Sequence, residues 1–168
     1  MTPPDTTRFC LNEVQDDAPL RGSLCPIRLG ITETTTTGEG FVSSEGVATL
    51  QAAYDAFKRQ DIPAVMAAFD DEIEWTSPDN LPFGGTFRGH EGVGQFFGQL
   101  PEYWKELNVD PEEFIDGGDV IVVPVHLTGV GAGGSLDSKT LHLWRMRAGK
   151  AVSFREYPDT ARVLQALG

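Results

Sequence analysis

Two side chains near the C-terminus, His142 and Glu156, have the types and spacing for acid/base chemistry. They fall in a segment that predicts a β-hairpin. Thr140 to Arg147 and Ala151 to Tyr157 are β-prone runs flanking Ala148-Gly149-Lys150. A three-residue loop, 147–149, with Gly149 at positive φ, pairs residues 146 and 150. Even-numbered positions then share one face, carrying His142, Trp144, Met146, Val152, Phe154 and Glu156. In this register Phe154 opposes His142, and Glu156 is its diagonal neighbour, about 7–8 Å away at Cα. One carboxyl and one imidazole thus lie on an apolar, aromatic surface. Burial raises a carboxyl pKa and a nearby imidazolium lowers it, so such a pair can be poised for proton transfer. The register decides the matter, because a two-residue turn would send Glu156 to the other face.

The elements that must position this hairpin come before it. Val47, Leu50, Tyr54 and Phe57 recur at helical spacing behind Ser44, a good N-cap. Asp61 caps a second helix with Pro63 in its first turn and Val65, Met66 and Phe69 as its stripe. Asp71 to Thr76 reads as a strand. A glycine-rich loop, 83–89, feeds a third helix (Val93, Phe96, Phe97, Leu100), which Pro101 kinks or restarts before Trp104 and Leu107. After Pro111 the pattern is β. Glu113 to Ile115 is a short strand, and Val120 to Thr128 a longer one, in which Pro124 implies an edge or a bulge. The glycines of 129–135 lack the spacing of a phosphate cradle and read as a turn. Helices followed by a mostly antiparallel sheet make an α+β arrangement.

Residues 1–43 differ from the rest. Four prolines, the run Thr34 to Thr37 and no sustained period predict a disordered extension before a domain at 44–168, with at most a short strand near Ile27 to Ile31. Cys10 and Cys25, the only cysteines, are read as free thiols. With 25 acidic against 13 basic residues the formal charge is −12, which argues against nucleic acid and anionic membrane as partners. No apolar run approaches a membrane span and no secretory signal is legible, so cytoplasmic residence is the expectation. His90, His126 and His142 have no metal-ligand spacing, and neither a metal nor a cofactor is expected.

Four blocks carry a family resemblance over about Ser44 to Leu167. They are Tyr54-Asp55-Ala56-Phe57 with Gln60 to Ala64; Ile73-Glu74-Trp75; Gly85 to Val93; and Leu141 to Arg145 with Gly149-Lys150 and Phe154 to Thr160. Together they resemble the SnoaL-like, ketosteroid-isomerase-related branch of the nuclear transport factor 2-like superfamily. The resemblance implies three N-terminal helices packed on a strongly curved sheet, a cone with a deep apolar pocket, and a homodimer formed through the outer sheet face. In SnoaL-like cyclases the last strand bears an acid/base aspartate after a Gly-Lys turn, and here that position is Glu156. The neighbouring strand often bears a second carboxylate, where this chain has His142.

Each candidate also has a structural reading. Glu156 and His142, the expected catalytic pair, could instead be a buried carboxyl and a satisfied core histidine. Trp75, Trp144, Tyr54, Phe114, Trp104 and Phe154 are expected to line the pocket, or else to be plain core. Arg88 is read as a surface residue that could meet an anion, His126 as an edge or interface residue, and Tyr157 and Asp159 as fixing the chain's exit. Two functions follow. One is an isomerase, cyclase, hydratase or epoxide hydrolase acting on a small hydrophobic carbonyl or epoxide compound. The other is a non-catalytic small-molecule-binding or stress-response protein using the same pocket.

Overall fold

A computed structural model describes residues 44–168. The expectations for residues 1–43, including Cys10, Cys25 and the strand near Ile27, lie outside the described residues.

Helix α1 (Glu45–Lys58) starts where its sequence places it: Ser44 Oγ accepts the Val47 N–H at 3.3 Å. Asp61 caps α2 (Ile62–Ala67) by accepting the Ala64 N–H at 3.1 Å. Strand β1 (Phe69–Ser77) follows, with Phe69 beginning the strand rather than closing the α2 stripe. The glycine-rich segment is not all loop, since β2 (Gly85–Arg88) pairs antiparallel with β1 before α3 (Gly89–Tyr103). Pro101 lies in the last turn of α3 and the helix is not restarted after it. Leu107 instead enters β3 (Glu106–Pro111). Then come β4 (Ile115–Asp116), β5 (Val120–Val130), β6 (Ser135–Arg147), β7 (Lys150–Pro158) and α4 (Thr160–Leu167).

The sheet order is β2-β1-β7-β6-β5-β3, with β4 also on β5. Among the described strands only β1 and β7 pair in parallel. The result is an α+β fold with helices packed on a curved, unclosed sheet. Its core forms between the inward sheet face and the helices, where Leu50, Ile73, Val93, Ile121 and Val123 lose all contact with solvent. Pro124 is not on an edge strand. Its carbonyl accepts from Glu112 N–H on the side where β3 has ended and β4 has not begun, so the missing N–H falls in a gap of the ladder.

The hairpin corrects the expected register. Arg147 pairs with Lys150 across a two-residue loop, Ala148-Gly149, with both residues at positive φ (48° and 74°). Met146 then pairs with Ala151, but Arg145 pairs with Ser153, leaving Val152 as an extra residue. This β-bulge shifts the pairing by one and reverses the face that the short turn would have given. Ala151, not Val152, fills the inward slot. Beyond the bulge Trp144 opposes Phe154, and His142 directly opposes Glu156 instead of lying diagonal to it.

Helix α4 has no counterpart in the sequence reading. Asp159 caps it by accepting the Arg162 N–H at 3.2 Å, and Val163 and Ala166 are its buried positions. The glycines between β5 and β6 are its seat. Gly133 N–H donates to Ala166 O at 2.9 Å, and a Cβ on Gly131 would stand 2.3 Å from that same oxygen. Among the described residues no helix is long and apolar enough to cross a membrane.

Candidate active site

The inward faces of β1, β7 and β6 meet in one row. β1 supplies Trp75 and Ser77, β7 supplies Phe154 and Glu156, and β6 supplies Trp144 and His142. Trp75 and Phe154, aligned in the parallel ladder, stack with ring centroids 3.7 Å apart. Two residues further along each of these strands, Ser77 Oγ donates to Glu156 Oε1. Ser77 is almost fully buried. It lies one residue beyond the strand that the sequence predicts, Asp71 to Thr76. Its signal was the alternation Ile73, Trp75, Ser77, which continues the inward face by one more residue.

His142 is bonded to a different partner. Its Nδ1 lies 2.7 Å from Tyr54 Oη, and Trp144 Nε1–H donates to the same oxygen at 3.0 Å. Helical periodicity carries Tyr54 inward from α1 to reach both strand residues. The site therefore holds two separate arms, Ser77–Glu156 and Trp144–Tyr54–His142, whose ionisable ends face each other across the β6–β7 ladder.

Burial sets the electrostatics. Removal from water pushes the Glu156 carboxyl above its ordinary value, and the Ser77 hydrogen bond opposes that rise by favouring the ionised form. The same desolvation pushes His142 down to about 3, so the imidazole is neutral at any ordinary pH. Burial also raises Tyr54, partly offset by the hydrogen bond from Trp144, so its phenol stays protonated.

These groups open on a cavity of about 100 Å³ whose other walls are almost wholly apolar. Trp75, Trp144, Tyr54, Trp104 and Phe154 line it with Glu156 and His142, and Leu81 and Val163 add walls from the β1–β2 loop and from α4. Phe114 does not line it. That ring packs edge-on against Tyr54 at 5.8 Å, buttressing the phenol from behind. Trp75 Nε1 is buried and has no hydrogen-bond partner among the described residues. Arg88 is exposed and paired with Glu74 at 2.6 Å, away from the cavity. His126 bonds Asp137 at 2.9 Å on the outer sheet face, in a central strand. Tyr157 is exposed on that face, and Asp159 serves as the α4 cap. Among the described residues no group of three or more His, Cys, Asp or Glu side chains is placed to hold a metal ion.

The sequence pattern of the SnoaL-like domain matches residues 50–154, a span that contains both His142 and the turn leading to Glu156. The chain belongs to the SnoaL-like family. Solved structures agree with this assignment. A nuclear transport factor 2-like protein of unknown function from Burkholderia pseudomallei is 35% identical, over 74% of this chain and 98% of that one, with a TM-score of 0.71. TerC, co-crystallized with polyporic acid, is 27% identical over 74% and 98%, also with a TM-score of 0.71. A nuclear transport factor 2-like protein from Burkholderia thailandensis is 29% identical over 75% and 99%, with a TM-score of 0.70. Among curated proteins none matches significantly. The part of this SnoaL-like chain that aligns with the structures is thus nearly the whole of each neighbour.

Proposed function

We propose that this SnoaL-like protein is an acid/base enzyme, working without a cofactor, that acts on a small hydrophobic carbonyl or epoxide compound. The observation that carries the reading is the cross-strand opposition of Glu156 and His142, each held by its own partner rather than by the other, at the wall of an apolar cavity. Glu156 is the base. Ionised, it removes a proton from carbon next to a carbonyl, or from a water or hydroxyl, and later returns it. Desolvation makes it a stronger base than a carboxylate in water, which suits proton transfer near neutral pH. His142, neutral, donates a hydrogen bond to the oxygen on which negative charge develops, and a donor in a dry site is worth more than one in water. Ser77 keeps Oε1 in place.

Glu156→Gln tests this. The substitution preserves shape, so folding and ligand affinity should change little, while turnover should fall by about 10²–10⁴-fold. The substrate can be found by mass spectrometry of what copurifies. Full turnover by Glu156→Gln on a verified substrate would end the catalytic assignment.

A non-catalytic binding protein is the second reading, and under either one the cavity limits the ligand to a compact molecule. The cavity, about 100 Å³, is small beside the ~300–1,000 Å³ of usual ligand sites. A compact ligand that binds wild type and Glu156→Gln equally, with no conversion by either, would favour binding alone.

A further inference from the structure

The Trp144–Tyr54–His142 chain has only one consistent direction. Indole Nε1–H is solely a donor, so Tyr54 Oη must accept from Trp144. The phenol has one hydrogen of its own to place. Among the described residues the His142 Nδ1 at 2.7 Å is the only other partner within hydrogen-bonding distance of that oxygen. If Nδ1 carried the ring proton, Oη would accept twice and its own hydrogen would be buried without a partner, a costly arrangement. Burial keeps the ring neutral, so it carries a single proton. With Nδ1 accepting, that proton sits on Nε2, at the opposite edge of the ring. Among the described residues Nε2 has no protein partner, and His142 lines the cavity.

We propose that Tyr54, held by Trp144, is a positioning residue that locks His142 as the Nε2–H tautomer and so makes the imidazole a fixed hydrogen-bond donor to the ligand. This deepens the proposed function and rests on it only for the word catalysis. It also narrows the ligand. The atom placed at His142 is an acceptor, such as a carbonyl, epoxide or enolate oxygen, and a hydroxyl can occupy the spot only by accepting. His142 therefore does not share a proton with Glu156. The two groups have distinct tasks, one as donor and one as base.

Nitrogen-15 NMR of the full-length protein reads the tautomer directly from the couplings of the ring protons to Nδ1 and Nε2, with no ligand required. Wild type should show His142 as Nε2–H alone from about pH 5 upward. In Tyr54→Phe, the ratio of Nε2–H to Nδ1–H should fall by about fivefold, the worth of one hydrogen bond. A purely packing role for the phenol would leave that ratio unchanged, because the ring is retained. Wild type with Nδ1–H, or with a mixture, would overturn the proposal, as would an unaltered ratio in Tyr54→Phe. If Tyr54→Phe fails to fold, the wild-type spectrum decides by itself, because Nδ1–H or a mixture there overturns the lock. The result is separable from the catalytic reading, since Glu156→Gln can retain turnover while His142 remains Nε2–H.

Discussion

Glu156 and His142 are both placed where water would have served them better, and the cost depends on pH in opposite senses. A carboxyl whose folded pKa is raised binds more protons folded than unfolded, so its contribution to stability is complete below the ordinary value of 4.5 and is lost as pH rises through the folded pKa. A histidine lowered to about 3 does the reverse. The folded state keeps it neutral, and stability present above 6.5 is lost as pH falls toward 3. Acid should therefore unfold the protein partly through His142, and a rise in pH above 4.5 should weaken it through Glu156. Glu156→Gln isolates the second effect. Its stability advantage over wild type should grow between pH 4.5 and the folded pKa and then level off, by about 1.4 kcal/mol for each unit by which the carboxyl is raised. Urea midpoints measured from pH 4 to 9 check this, and a constant difference across that range would show that the carboxyl is not desolvated. Under the proposed function the same substitution trades activity for stability.

At the scale of elements, the hairpin tip carries the most consequence for the site. Ala148 stands at φ 48°, a left-handed conformation that costs a residue with a Cβ about 1 kcal/mol, and the two-residue loop needs positive φ at both of its positions. Ala148→Asn should therefore stabilise the protein by about 0.5–1 kcal/mol with activity unchanged, seen as a higher denaturant midpoint at the same slope. A lower midpoint would mean that the loop conformation is misassigned. The tip also shows what was legible in the sequence. The alternation of His142, Trp144 and Met146 on one strand, and of Phe154 and Glu156 on the other, could be read from period two, but that the two sets share a face depends on the register. The loop length could not, because Ala148-Gly149-Lys150 accommodates a two- or a three-residue turn. The bulge at Val152 could not either, since a β-branched residue advertises a regular strand. Two unread features cancelled, and the face survived. Helix α4 was illegible for another reason. Thr160 to Leu167 is short, and the glycines that seat it, Gly131 and Gly133, lie thirty residues away and read as a turn until the helix is packed on them. Ser77 and the Tyr54 relay depend on β1 lying parallel beside β7 and on α1 crossing β6, contacts that no local pattern contains.

At the scale of the whole molecule, the outer sheet face carries exposed apolar side chains that no described residue covers. Across β5, β6 and β7 the ladder places Pro124, Leu141 and Tyr157 in one row, and Ile115, Val122 and Leu143 in the next. Leu141 and Tyr157 are about half exposed, and so is Ile115. An apolar patch on an otherwise strongly acidic chain has the character of a contact surface. Arg145 and Arg155 border it, giving the basic, partly apolar composition that suits an interface rim. We propose a second copy of this chain as the partner of this patch. Light scattering at micromolar concentration should return twice the 18.3 kDa of one chain. Leu141→Asp would place a desolvated charge in each copy of the patch and should return the monomer, with the cavity-lining residues untouched. A wild-type monomer at that concentration would refute the dimer. A Leu141→Asp protein that remained dimeric would place the interface on another face and leave this patch for a different partner.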